Sequence, residues 1–271
     1  MSDLTITIIQ ANLKWEDKEG NLRMLSDRIN NIREKTEVVI LPEMFNTGFS
    51  MQPESLAENM DGKTVEWMRN IASSKKIILT GSIMIRENGK FFNRLIWMLP
   101  SGDIGIYDKR HLFAYGQEDR FYVPGSKRLI AQVKGWKVNL QVCYDLRFPV
   151  WARQQGNWDN EKTGGEPELE YDVLIYVANW PERRITAWKV LLQARAIENQ
   201  CYVIGINRVG TDGNDIFYSG DSMIIDPYGK ILYQGGQEEE TFTYTLHKEK
   251  LKEIRHKLPF WKDADNFQIT G

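Results

Sequence analysis

The stretch Val138-Asn139-Leu140-Gln141-Val142-Cys143-Tyr144-Asp145-Leu146-Arg147-Phe148-Pro149 decides how the rest of the chain is read. It reads as a buried strand running into a sharp turn, with a cysteine at the turn and a helix opening just after it. A nucleophile on such an elbow points its reactive atom outward and leaves the following backbone N–H groups free to bind an oxyanion. A structural cysteine fits the same position, because free cysteine is among the most buried residue types. The surrounding sequence has to separate the two.

At 271 residues the chain has room for one large domain or two ordinary ones. Apolar residues make up 42% and include nine Trp, ample for a sizeable core. A formal net charge of −2, with no run of five or six like charges, gives no electrostatic case for a nucleic-acid partner or an anionic membrane. The cysteines are Cys143 and Cys201 alone, without a C-x-x-C pair, which fits a reducing compartment. The first residues run straight into strand-like alternation, and no apolar run approaches the roughly 20 residues that span a bilayer. The expectation is a soluble, cytoplasmic protein.

Upstream, Thr5 to Gln10 is a β-branched opening strand, and Asn21 to Lys35 carries Leu22, Leu25, Ile29 and Ile32 at helical spacing. Glu37 to Leu41 (EVVIL) is a strand covered on both faces, ending at Pro42-Glu43-Met44-Phe45. A helix over 64–75 precedes strands over 77–85 and 91–99, joined by the hairpin signal Asn88-Gly89. A short strand, Ile104 to Tyr107, leads to Asp108-Lys109-Arg110-His111-Leu112-Phe113, and strands over 128–133 and 137–142 follow. Downstream, a short helix is expected over 149–155, and residues 156–170 form a polar surface loop. A buried strand spans 171–178, a helix 186–199 and a strand 202–207. Strands at 222–225, 231–233 and 241–246, then a helix near 248–256, complete the regular elements. The aromatic tail, 258–271, is expected to pack on a partner surface. No repeat or interdomain linker is evident, and the hairpins exclude a purely parallel barrel. The reading is one α/β domain over 1–271, helices outside and two sheets face to face.

Glu43, Lys109 and Cys143 all stand at strand ends, where helix-covered sheets present reactive groups. Taken singly, Glu43 could cap a turn, Lys109 could be a solvated charge and Cys143 could be core. Together they make an acyl-transfer device. A thiol with a pKa of about 8.5 needs a base or a nearby cation; Glu43 could accept its proton, and Lys109 would favour the anions formed. The backbone N–H of Tyr144 would be a second oxyanion donor.

Leu41-Pro42-Glu43, Asp108-Lys109-Arg110-His111-Leu112 and Val142-Cys143-Tyr144-Asp145-Leu146-Arg147-Phe148-Pro149 resemble, in order, the three catalytic motifs of the nitrilase (carbon–nitrogen hydrolase) superfamily. Asn179-Trp180-Pro181, 194–200, Asn207-Arg208-Val209-Gly210 and Gly220-Asp221-Ser222 resemble its later landmarks. The resemblance implies a four-layer α-β-β-α sandwich of two mixed sheets and a Glu–Lys–Cys triad without metal or organic cofactor. It makes Glu43 the general base, Lys109 the oxyanion stabiliser and Cys143 the nucleophile. Glu118 matches a second glutamate that positions the lysine or relays protons. Homo-oligomers, dimers or larger, are implied as well.

Within the superfamily the elbow, Asn-Trp-Pro and the tail 260–267 most resemble the bacterial omega-amidases, which deamidate 2-oxo-dicarboxylic acid monoamides. Such an amide substrate carries a carboxylate that calls for arginine; Arg147, Arg183 and Arg184 are the candidates, with Arg147 alternatively a structural ion-pair partner of Asp145 or a glutamate. Phe45, Tyr115 and Trp180 are expected to wall the pocket. Other readings are an N-carbamoyl amino acid hydrolase, a deaminated-glutathione amidase, a nitrilase or a catalytically silent binding protein. Residues 156–170 look longer than the corresponding omega-amidase connection and are expected to point away from the pocket.

Overall fold

A computed structural model describes residues 2–157, 168–265 and 267–269. The expectation for the loop at 156–170 therefore lies largely outside the described residues. In chain order the strands are β1 Leu4–Gln10, β2 Val38–Ile40, β3 Ile78–Glu87, β4 Lys90–Met98, β5 Ile104–Asp108, β6 Leu129–Val133, β7 Trp136–Val142, β8 Gly156–Asn157, β9 Glu168–Leu169, β10 Val173–Val177, β11 Tyr202–Ile206, β12 Val209–Thr211, β13 Phe217–Ser219, β14 Met223–Ile225, β15 Ile231–Gln234 and β16 Glu240–Leu246. The helices are α1 Lys18–Asn30, α2 Pro53–Leu56, α3 Lys63–Lys75, α4 Pro149–Ala152, α5 Ile185–Asn199 and α6 Lys248–Lys257.

Two six-stranded sheets form, in the orders β16-β1-β2-β3-β4-β5 and β15-β14-β11-β10-β7-β6. Each has three adjacent parallel strands, β1-β2-β3 and β7-β10-β11, flanked by antiparallel ones. The period-2 alternation of side chains explains the layering. Ile6, Ile8, Val38 and Ile40 face the second sheet, in one core with Val138, Leu140, Val142 and Ile175. Ile9, Val39 and Leu41 face the other way, onto Leu25 and Ile29 of α1 and Val65 and Met68 of α3. Outside the second sheet, α5 buries Trp188, Leu192 and Ala196. The result is the expected α-β-β-α sandwich.

The Asn88-Gly89 hairpin forms with both residues at positive φ, 50° and 73°, as a tight two-residue turn demands. Two helices differ from their expected bounds. The first begins earlier, at Lys18, because the Asp17 carboxylate caps the Gly20 N–H at 2.9 Å, and it ends at Asn30 rather than Lys35. The helix expected over 149–155 stops at Ala152, because Gln154 instead bonds to Asn199 at the end of α5. The described part of the aromatic tail bonds to its own chain: Gln200 holds the Leu258 carbonyl and the Trp261 N–H, and Gln155 holds the Phe267 carbonyl.

Candidate active site

The site lies where strand ends of the two sheets meet. Leu41-Pro42-Glu43 leaves β2, whose two sides are paired with β1 and β3. Met44 follows at φ 44°, its N–H donating to Ser82 Oγ at 2.9 Å, a left-handed conformation sustained only where packing dictates it. The Glu43 side chain is fully buried. Its Oε1 accepts from Lys109 Nζ at 2.8 Å and from Asn93 Nδ2 at 2.8 Å, and its Oε2 from the Asn179 N–H at 2.9 Å.

Lys109 leaves β5 beside Asn93 of β4, where Arg94, paired with Asp108 at 2.7 Å, braces the two strands. Its ammonium also donates to Glu118 Oε1 at 3.1 Å and Oε2 at 2.9 Å. Glu118 is itself fully buried and accepts the Phe113 N–H at 2.6 Å. Burial alone would lower the Lys109 pKa, but the fields of Glu118 and Glu43 outweigh it and hold the ammonium above its ordinary range. Burial pushes Glu118 up, against the pull of Lys109 and with the like charge of Glu43.

Cys143 follows β7 at φ 44°, opening a short 3₁₀ turn, Cys143–Arg147, whose first N–H groups have no partner within the turn. Asp145 braces this elbow. Its Oδ2 accepts from Tyr107 Oη at 2.7 Å and the Val142 N–H at 3.0 Å, and its Oδ1 from the His111 N–H at 2.9 Å and faces His111 Nδ1 at 2.8 Å. The thiol lies 3.9 Å from the Asn179 carbonyl oxygen. Burial and then the charge of Glu43 push it well above its usual pKa, against the opposing pull of Lys109. The surroundings of the sulfur therefore favour the thiol over the thiolate. Asn179, at the end of β10, ties the sheets together, its side-chain amide donating to the Glu43 carbonyl.

These groups reach a cavity of about 240 Å³. Lys109, Cys143 and Asn179 line it beside Phe49, Phe113, Tyr115, Tyr144 and Trp180, with Arg147, Arg183 and Arg184. Arg147 lies over the Trp180 ring at 5.0 Å and Arg184 over Phe113 at 5.0 Å. Among the described residues none of these three arginines forms an ion pair. Burial first, then the charges of Arg183 and Arg147, lowers the Arg184 pKa. This concentrates positive charge on one wall of the cavity, with Asp212 also in the lining.

The structure thus brings together Glu43, Lys109, Cys143, Glu118, Tyr144, Arg147, Tyr115, Trp180 and Arg183. It does not bring Phe45, which is fully buried on the outer side of the first sheet, its ring 5.8 Å from that of Trp67. Phe49 takes the wall position, 5.2 Å from the Lys109 ammonium. Nor does Arg147 pair with Asp145, whose two oxygens are already engaged. Sequence reading missed Asn93, which sits inside a strand with no local signal. It gave Asn179 no role, although that residue ends a parallel strand as Glu43 and Cys143 do. Among the described residues no cluster of three or more His, Cys, Asp or Glu side chains is arranged for a metal ion.

The sequence profile of the carbon–nitrogen hydrolase family matches residues 5–256. The chain is 39% identical over 270 residues to the omega-amidase YafV of Escherichia coli strain K12, covering 99% of this chain and 100% of the relative. It is 31% identical to a 2-oxoglutaramate amidase of Bacillus subtilis, covering 96% of each. Among solved structures, a carbon–nitrogen hydrolase superfamily protein of Xanthomonas campestris, with an arsenic adduct in its active site, is 42% identical and superimposes with a TM-score of 0.94 over 100% of both chains.

Proposed function

The chain belongs to the carbon–nitrogen hydrolase family, and we propose that it hydrolyses the terminal amide of 2-oxo-dicarboxylic acid monoamides, such as 2-oxoglutaramate, to the 2-oxo acid and ammonia. Its relatives make it an amide-hydrolysing enzyme. One observation carries the finer reading: a buried Glu43–Lys109–Cys143 site opens into a cavity lined by three guanidiniums that, among the described residues, form no ion pair, while Asp212 in the same wall is engaged by Asn214, Ile216 and Tyr218. A short substrate with an amide at one end and a carboxylate at the other matches both features.

Two carboxylates and one ammonium leave the resting site net negative, so a standing thiolate would be a further anion in a buried place. Deprotonation must therefore accompany attack. Glu43 takes the thiol proton as Cys143 Sγ bonds to the amide carbon. The carbonyl oxygen becomes an oxyanion held by Lys109 Nζ and the Tyr144 N–H. As the C–N bond breaks, Glu43 returns the proton to nitrogen, ammonia leaves and a thioester remains on Cys143. Water then gives a proton to Glu43 and attacks the thioester. The C–S bond breaks, Glu43 reprotonates the sulfur and the 2-oxo acid departs. Lys109 stays protonated throughout, and Glu118 keeps its ammonium in place. Arg147, Arg183 and Arg184 are the groups to grip the distal carboxylate, with Tyr115 and Trp180 against the carbon chain.

Ammonia release is expected from 2-oxoglutaramate and succinamate and not from deaminated glutathione, N-carbamoyl amino acids or simple nitriles. Inactivity on the first two would sink the substrate assignment. Intact-mass analysis of quenched turnover should find an acyl adduct in the wild type and none in Cys143→Ala. A wild-type protein that never acylates would favour a silent binding role.

A further inference from the structure

We infer that Asn93 is a positioning residue that fixes which oxygen of Glu43 acts as the base. Its single side-chain nitrogen carries two hydrogens, one aimed at Glu43 Oε1 at 2.8 Å and the other at Glu118 Oε1 at 3.1 Å. Lys109 Nζ donates to the same two oxygens, at 2.8 and 3.1 Å. The four atoms make a closed ring in which two nitrogen donors alternate with two carboxylate oxygens. The Asn93 backbone carbonyl also accepts the Lys109 N–H at 3.0 Å, which holds the two residues side by side. With the amide turned over, its oxygen would face two carboxylate oxygens, which fixes the orientation.

The chemical consequence lies in the lone pairs. Glu43 Oε1 is saturated by two donors, one of them charged, whereas Oε2 accepts the Asn179 N–H and keeps a lone pair free, and the Cys143 thiol also hydrogen-bonds to this carboxylate. The proton leaving Cys143 therefore goes to Oε2. Asn93 also lets two carboxylates stay ionised side by side, since hydrogen bonds to the charged form favour it. The other titratable groups facing the ring are Cys143 from the elbow and Tyr122 from the segment after Glu118, with Glu16 beyond Tyr122. Burial and Glu43 already push Glu118 up, so removing the amide donor raises the pH at which Glu118 takes a proton.

This assignment rests on Glu43 as base, so its test includes a readout that needs no substrate. Asn93→Ala and the isosteric Asn93→Asp would be compared with wild type by circular dichroism, by the pH profile of amide turnover and by the pH profile of Cys143 alkylation with iodoacetamide. Asn93→Ala is expected to lose about 10- to 100-fold in kcat, with KM held within about threefold. The acid limb of both profiles should move up by about one pH unit. Asn93→Asp, which adds a third carboxyl, should move it further. A folded variant with unmoved acid limbs would overturn the inference, whatever its kcat. Should Asn93→Ala not fold, Asn93→Asp decides by the same criterion. If wild type turns over none of the proposed amides, the alkylation profile still tests Asn93, so the two failures are distinguishable.

Discussion

At the scale of single residues, the elbow depends on a carboxylate that never meets the substrate cavity. Asp145 binds Tyr107, Val142 and His111 and thereby joins the end of β7 to the segment carrying Lys109. Asp145→Ala would leave the Tyr107 hydroxyl and two backbone N–H groups without their acceptor. A loss of roughly 3–5 kcal/mol is expected, read as a lower urea midpoint at unchanged slope. A loss below about 1 kcal/mol would show that the backbone alone holds the elbow. Residues of this kind mark where sequence reading ran out. Glu43, Lys109 and Cys143 were legible as a set, three strand-end residues in motifs of a recognisable order, but Asn93 is a mid-strand residue whose partners arrive from positions 43 and 118. The exchange of Phe45 for Phe49 has a similar cause. The left-handed turn at Met44 sends the next side chains along a path that local spacing does not reveal.

Among the elements, α5 connects core packing to the cavity wall. It lies on β11 at Gly205, where an added Cβ would stand 2.5 Å from Leu192 Cδ1 and 2.7 Å from Trp188 Cζ2. Trp188 in turn packs against Trp180, ring centroids 5.5 Å apart, and Trp180 lines the cavity. Gly205→Ala must push the helix away from the sheet at a cost of about 1–3 kcal/mol. The thermal midpoint should fall by about 2–4 °C for each kcal/mol, and KM should rise as Trp180 shifts. Leu192→Ala in the same chain should return much of the lost affinity. A double variant with the KM of Gly205→Ala alone would count against helix displacement as the cause. The helix itself was readable from its apolar period, and the β3–β4 hairpin from Asn88-Gly89. The early end of α4 was not, because Arg153 and Gln154 turn toward Glu198 and Asn199, about 45 positions away in the chain.

For the whole molecule, the two sheets divide the chemistry between them. The first supplies Glu43, Asn93 and Lys109; the second supplies Cys143 and Asn179, and the amide of Asn179 spans the junction. The charge is divided as well. A chain of net charge −2 gathers Arg147, Arg183 and Arg184 at one cavity, while Glu43 and Glu118 are buried around the ammonium of Lys109. Salt should act on these two regions differently. Exposed charges are screened over about 10 Å at 0.1 M salt and about 3 Å at 1 M, whereas a buried ion pair hardly responds. Raising salt from about 20 mM to 0.5 M should therefore increase KM for 2-oxoglutaramate several-fold and leave kcat nearly constant. A neutral amide of equal length should show a flat KM, and Arg147→Gln should flatten the response of the anionic substrate. The comparison between substrates is what discriminates, since salt alters solubility and folding for both alike. Equal responses from the charged and neutral amides would mean that the guanidiniums do not grip the substrate, leaving the catalytic assignment of Glu43, Lys109 and Cys143 untouched.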